Sequence, residues 1–410
     1  MRRHLPPALA GLLAAATIVG FAPAPAAVAD PGAPPLTYTS TERVAPGVVF
    51  KTFQTTAANG PVLGDVLEVD LRDPHVSVDL LHPPVIAARD VVSHMADAER
   101  AVAGVNGDFF NINETHVGVT PTGSSVGPEI SHGHDLKAAV PNGQRFGPAL
   151  PVGTSTEDVI GIGADRIARV ASLHLVGTLR AEGRTLAVRG LNQYALPVGG
   201  IGAFTDDWGA ISRERAVCGT DAVRTDPCST DTAEVTVRRG VVTQVTDTVG
   251  EGAIPSDTTV LVGRERGADA LRALTPGDRV RVRYHLDLDA DTRAPLRFAI
   301  GGFPILLDGE PLTGLDATAA PRTAAGISPR GRTLYLVVVD GRSAISAGMN
   351  LSELSALLER IGADDGVNLD GGGSSTVAVR APGAAAVTVR NVPSDGIERP
   401  VANGVGVFAR

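Results

Sequence analysis

Lysine is almost missing from this chain. Lys51 and Lys137 are the only two, and arginine carries the rest of the positive charge. Any anion recognised here is therefore met mainly by planar guanidinium forks rather than by point charges on flexible stems. Biased base composition in the gene would produce the same shortage. Positive charge is also in deficit overall: 36 basic against 45 acidic residues leave a net charge of −9, which argues against a nucleic-acid partner. Aromatic residues make up only 4% of the chain while glycines number 48, a balance that suits many turns and short strands. No stretch after the N-terminus reaches the roughly 18 apolar residues that a membrane span requires. Cysteine is nearly absent too. Cys218 and Cys228 stand alone, separated by the turn-rich segment GTDAVRTDP. In an oxidising compartment two such residues form a local disulfide, which adds about 2–3 kcal/mol by restricting the unfolded chain.

What is present begins with an export signal. Arg2 and Arg3 precede the apolar run ALAGLLAAATIVGF, and Ala27-Val28-Ala29 has the small-residue pattern of a cleavage site. Residues 1–29 thus read as a signal peptide, with a secreted mature chain starting at Asp30 and no membrane span after processing. Residues 30–40, DPGAPPLTYTS, form a Pro-rich lead-in, extended or mobile. With 43% apolar and 20% charged residues, 41–410 can bury a core and reads as one catalytic-size domain.

The pattern along that domain is α+β: strand-rich mixed sheets with few helices. VLEVDL and HVSVDLL alternate apolar and polar residues as half-buried strands do. RDVVSHMADAERA reads as a short helix, and residues 113–150, rich in Gly, Pro and Ser, as a long loop. From 165 to 300 nearly everything reads as strand, with the turn TPGD at 275–278 joining two of them. One helix is strongly signalled near the C-terminus. Asn350 and Glu353 make a capping box, Leu354, Leu357, Leu358 and Ile361 make one apolar face, and Gly362 stops it. It lies between the runs LYLVVV and GVNL, a strand–helix–strand unit whose strands run parallel if they share a sheet.

Four segments place polar and glycine residues against a short apolar run: VNGDFFN, PRTAAGISP, VVVDGRS and NLDGGGSST. If the strands before Asp340 and Asp370 are parallel neighbours, both carboxylates emerge at one sheet edge, where they can divide acid and base roles or hold a divalent cation. Both can equally cap turns through Asx hydrogen bonds. The amides of Gly371, Gly372 and Gly373 offer a nest for an oxyanion. His132, Gly133, His134 and Asp135 resemble a metal cluster in composition, but no further ligand lies near, and a solvated loop is the preferred reading.

In this order the motifs resemble the phosphodiester glycosidase family, from GVVF at 47 to GVGVF at 404–408. AVAGVNGDFFN, GGFPIL, PRTAAGI, VVVDGRSAISAGMNLSEL, GVNLDGGGSST and RNVPSDGIERPVANGVGVF carry the likeness. The resemblance implies a hydrolase that cleaves a sugar–phosphate diester at the anomeric carbon. In the family's best-known members the sugar is N-acetylglucosamine, and the substrate here would be a glycan or sugar phosphate. Such a site needs anion binding and one base or nucleophile. The resemblance points to Asp370 first, then Asp340 and Asp108, as catalytic carboxylates. Arg322, Thr323, Ser374 and Ser375 join the glycines at the phosphate. Asn106 and Asp108 are placed at sugar hydroxyls or a metal, and Asn391 and Arg399, with Asn403, either at the pocket wall or in a structural turn. No cofactor is required, and a divalent cation is admitted. Two other functions use the same residues: a non-catalytic carbohydrate-binding surface protein, and a metal-dependent phosphodiesterase cleaving at phosphorus with Asp108, Asp340 and Asp370 as ligands.

Overall fold

The computed structural model describes residues 34–289 and 294–410. The expected signal peptide, residues 1–29, and its expected cleavage site lie outside them. Of the lead-in, Thr37–Ser40 belong to the first strand, Thr37–Ala45, rather than to an irregular segment.

Four sheets make up the described chain. The eight-stranded sheet runs in the order Thr37–Ala45, Val48–Ala57, Gly60–Asp70, Thr333–Val339, Arg322–Ile327, Asp365–Asn368, Phe303–Leu307, Glu310–Pro311. A five-stranded sheet places Ala103–Asn106 between Val377–Val379 and Gly404–Ala409. These two sheets contribute most of one large core that includes Phe50, Phe53, Leu67, Val105, Leu336 and Val407. A second core lies under the strands of 168–282.

Helices are few and short: α1 is Val92–Ala98, α2 Arg266–Arg272 and α3 Leu351–Ile361. The signals for α3 are met in full. Asn350 accepts from the Glu353 amide, Glu353 returns a bond to the Asn350 amide, and Gly362 takes the left-handed conformation at φ 106°. Its apolar stripe buries Leu351, Leu354, Leu357 and Leu358.

The strand–helix–strand unit forms as expected, with one difference that shapes the site. Strands Thr333–Val339 and Asp365–Asn368 share a sheet and run parallel, but they are not neighbours. Arg322–Ile327 lies between them, antiparallel to both. Arg322, at the start of this middle strand, therefore stands at the edge where the two flanking strands deliver Asp340 and Asp370.

One loop expected from composition holds ordered structure. Residues 113–150 contain the hairpin Glu129–Ser131 and His134–Lys137, and Val126, Ile130, Leu136, Ala138 and Val140 are buried. His132 (φ 53°) and Gly133 (φ 79°) form its two-residue turn, which accounts for that histidine cluster without a metal. The turn TPGD leads from α2, not from a strand, into Val280–Asp289. At seven residues, α2 is too short to leave a clear helical period in the sequence.

Candidate active site

The centre of the site is assembled by Asn106, the last residue of Ala103–Asn106. Its side-chain oxygen accepts from the Thr323 hydroxyl at 2.7 Å and the Thr376 amide at 3.0 Å, while its amide donates to the carbonyl of Asp370 at 2.7 Å. The Asp370 amide in turn donates to the Gly107 carbonyl. Asn106 thus makes bonds inside the protein at both ends of its amide. It joins the ends of strands from two sheets and sets the turn that carries Asp370.

Each glycine of that turn has its own reason. A Cβ at Gly371 would lie 2.7 Å from the Pro321 carbonyl, and Gly372 sits at φ 62°. A Cβ at Gly373 would collide with Arg399 and Asp395. The amides are not an open nest. Gly371 donates to the Asp370 carboxylate, Gly372 to the Pro321 carbonyl, and Ser374 and Ser375 to Gly371 and Gly372.

Asp370 is half-buried, and burial pushes its carboxyl up to about 7. The nearby Asp108 charge pushes the same way, while Ser374, the Gly371 amide and Arg399 oppose it. Arg399 donates to the Ser374 hydroxyl at 3.3 Å and is itself held by Asp395. Asp108 lies deeper, at 3% exposure. It accepts from the amides of Gly127 and Phe109, and Gly127 and Gly301 leave room for its carboxylate. Burial raises it to about 6, and the Gly127 amide and Lys137 pull against that rise. Both carboxyls are raised toward the neutral range chiefly by burial, and the Asp108 charge is the smallest contribution at Asp370.

Behind Asp108 lies a buried charge network. Lys137 is fully buried, and burial lowers it to about 8 against the pull of Glu129 and Asp108. Its Nζ donates to the carbonyls of Gly127 and Ala138. Asn403 accepts from the Asp108 amide at 2.8 Å and donates to Glu129 at 2.8 Å, and Glu129 also takes the Ser125 hydroxyl. Glu129 and Lys137 were not singled out from the sequence. A signal existed: Lys137 is one of two lysines and stands in the apolar run LKAAV.

Other sequence candidates lie apart from this pair. Arg322 is 5% exposed and its fork is filled by Asp316, the Thr318 carbonyl and the Met349 carbonyl, so it supports the chain around it. Asp340 accepts from the Val392 amide and Asn391, and its charge bears on buried Asp65, which is pushed up to about 7 by burial and by Asp340. Asn391 also bonds the Val377 amide and the Ser375 carbonyl. Asp108, Asp340 and Asp370 therefore do not meet as one ligand set. Buried side-chain atoms of Asn368, Ser375 and Thr376 have no hydrogen-bond partner. The Cys218–Cys228 disulfide is formed as expected and lies in the separate segment that follows Glu214–Val217.

Two raised carboxyls just past strand ends of an α+β fold, one of them beside a serine–arginine contact, make up the candidate site. Residues 231–408 match the family model described as Phosphodiester glycosidase. The match is narrower than the motifs suggested: it holds Asp340, Asp370 and Arg399 but not Asn106 or Asp108. No curated protein matches the chain. Among solved structures it is similar to a hypothetical protein from Synechocystis (20% identity, TM-score 0.69), covering 92% of this chain and 64% of that one, so it spans less than two thirds of that protein's length. It is also similar to a Burkholderia pseudomallei protein described as exported (21% identity, TM-score 0.70; 92% of this chain, 97% of that one). The catalytic domain of zebrafish N-acetylglucosamine-1-phosphodiester alpha-N-acetylglucosaminidase stands at 17% identity and TM-score 0.42 (92% and 89%).

Proposed function

We propose that this protein is an exported hydrolase that cleaves sugar–phosphate diesters between the anomeric carbon and the phosphate oxygen. Half-buried Asp370, raised to about 7 by burial on a turn it shares with Ser374 and its Arg399 contact, is the observation that carries the reading. Near neutral pH it is placed to exchange a proton with substrate or water. Water attacks the anomeric carbon and gives its proton to Asp370. The bond to the phosphate oxygen breaks, and its electron pair leaves with the phosphomonoester. That leaving group is already a weak base, so little protonation of it is required. Asp108 stays ionised longer, because two amides and Lys137 favour its charged form. Its negative charge keeps Asp370 basic and stabilises positive charge growing on the sugar ring. Arg399 supplies a donor for the phosphate.

The disulfide and the exported relative support a place outside the cytoplasm. Among the described residues no helix is long and apolar enough to cross a membrane. The test is product analysis on a glycosyl phosphodiester, with N-acetylglucosamine as the first sugar. Free sugar plus phosphomonoester is expected. A phosphosugar would mean cleavage at phosphorus, and no products from a ligand that binds would mean a binding protein.

A further inference from the structure

A cleft of about 600 Å³ is lined in part by Arg399, and nothing above uses it. The Nη1 of Arg399 reaches the Ser374 hydroxyl that bonds the Asp370 carboxylate. Arg89 stands on the wall that pairs with this segment, since Asp90 and Val401 exchange backbone bonds in both directions. The other wall is Ile112, Pro121 and Thr122 from the segment after Phe110, and Ile211 and Pro400 add to the lining.

This cleft is held open by its own contacts. Asn111 clamps the loop by accepting from the Thr122 amide at 2.6 Å and the Thr122 hydroxyl at 3.1 Å. Glu114, two residues past Ile112, is locked to buried Arg215 and to His116. Gly123, at φ 75°, lets the Arg89 stem pass: a Cβ there would lie 2.9 Å from Arg89 Cγ. Arg89 has no acidic partner among the described residues. It bonds only the Ile112 carbonyl, at 3.4 Å, and stacks over Phe110.

The lining states what fits. It holds two guanidinium groups, Arg89 without an acidic partner among the described residues and Arg399 paired with Asp395; no acid or side-chain amide lines it, and its one hydroxyl, on Thr122, is already committed to Asn111. The rest is alanine, isoleucine and proline. A second sugar would find almost nothing to receive its hydroxyls, whereas an alkyl chain beside a phosphate is matched at both ends.

We propose that this cleft is the leaving-group subsite, and that it takes the phosphate ester of an apolar alcohol. The phosphate lies between Arg399 and Arg89, and the alkyl chain lies on Ile112, Pro121 and Ile211. The leaving-group role rests on the reading of Asp370 as the hydrolytic residue, so binding and turnover are measured separately.

Binding is followed by titration calorimetry with hexyl phosphate, glucose 6-phosphate and inorganic phosphate. Hexyl phosphate is expected to bind the intact protein about tenfold or more tighter than the other two, since several methylenes leave water. Ile112→Asp, at an exposed position, should erase that advantage, and Arg89→Gln should weaken all three ligands. Equal or tighter binding of glucose 6-phosphate, or an advantage that survives Ile112→Asp, overturns the subsite. Turnover is then compared on hexyl and methyl glycosyl phosphates, where Ile112→Asp should lower the ratio of the two kcat/KM values about tenfold. Should hexyl phosphate bind as stated while neither diester is cleaved, the hydrolase reading and the leaving-group role both fall, and the cleft remains an alkyl phosphate site.

Discussion

Asn106 donates from its side-chain amide to the carbonyl oxygen of Asp370 at 2.7 Å, across 264 positions of sequence. That bond, with the two it accepts from Thr323 and Thr376, fixes the turn that carries Asp370 from behind. Asn106→Ala leaves three buried groups without a partner and is expected to cost about 2–4 kcal/mol of stability. Chemical denaturation checks this. Activity measured at a temperature where the variant is still folded should fall as well, because Asp370 is no longer held in place.

Asp370→Asn is expected to lower kcat by at least about 10²-fold, the scale of a positioned proton-transfer group. Asn keeps the size of the side chain and can accept from the Gly371 amide. The melting temperature should therefore stay within a few degrees of wild type. Full activity in this variant would remove Asp370 from the chemistry.

Lys137→Met removes the cation that faces Asp108 and Glu129 while keeping an unbranched side chain. Asp370 and Arg145 also act on this carboxyl and remain in place. The cation favours the ionised form of Asp108, so its loss should move the acidic limb of the kcat/KM profile to higher pH. A purely structural role would lower stability and leave the limb where it was.

Arg322→Lys tests a position at the site edge whose side chain faces elsewhere. One ammonium cannot serve Asp316, the Thr318 carbonyl and the Met349 carbonyl in the same geometry. A loss of about 1–3 kcal/mol in stability is expected, with KM for the diester unchanged once the protein is folded. A KM effect without a stability effect would return Arg322 to the phosphate.

Stability should fall as pH rises from about 5 to 8. Asp65 and Asp370 are raised to about 7, and Asp108 and Asp158 to about 6. A raised carboxyl contributes stability that is fully present below its unfolded pKa, near 4, and lost as pH climbs through the folded value. Asp65→Asn should flatten the decline in melting temperature over that window. An unchanged slope would show that Asp65 does not titrate there.

Much of this protein could be read locally, because the forces involved are local. Alternation in VLEVDL, the Asn350–Glu353 capping box and the paired cysteines each need only nearby residues to act. The turn LDGGGSS was likewise legible as a place where backbone and another group come close, although what comes close is Arg399 with Asp395 and the Pro321 carbonyl. Tertiary structure alone decided which charges meet. The insertion of Arg322–Ile327 between two parallel strands was set by how the sheet packs, and it sent Asp340 toward Asp65 while Asp370 was left facing Asp108. Glu129 and Lys137 gained their roles because a hairpin inside an apparently loose segment packs beneath Asp108. Burial and long-range charge depend on what the rest of the chain places around a group, and no short stretch of residues carries that information.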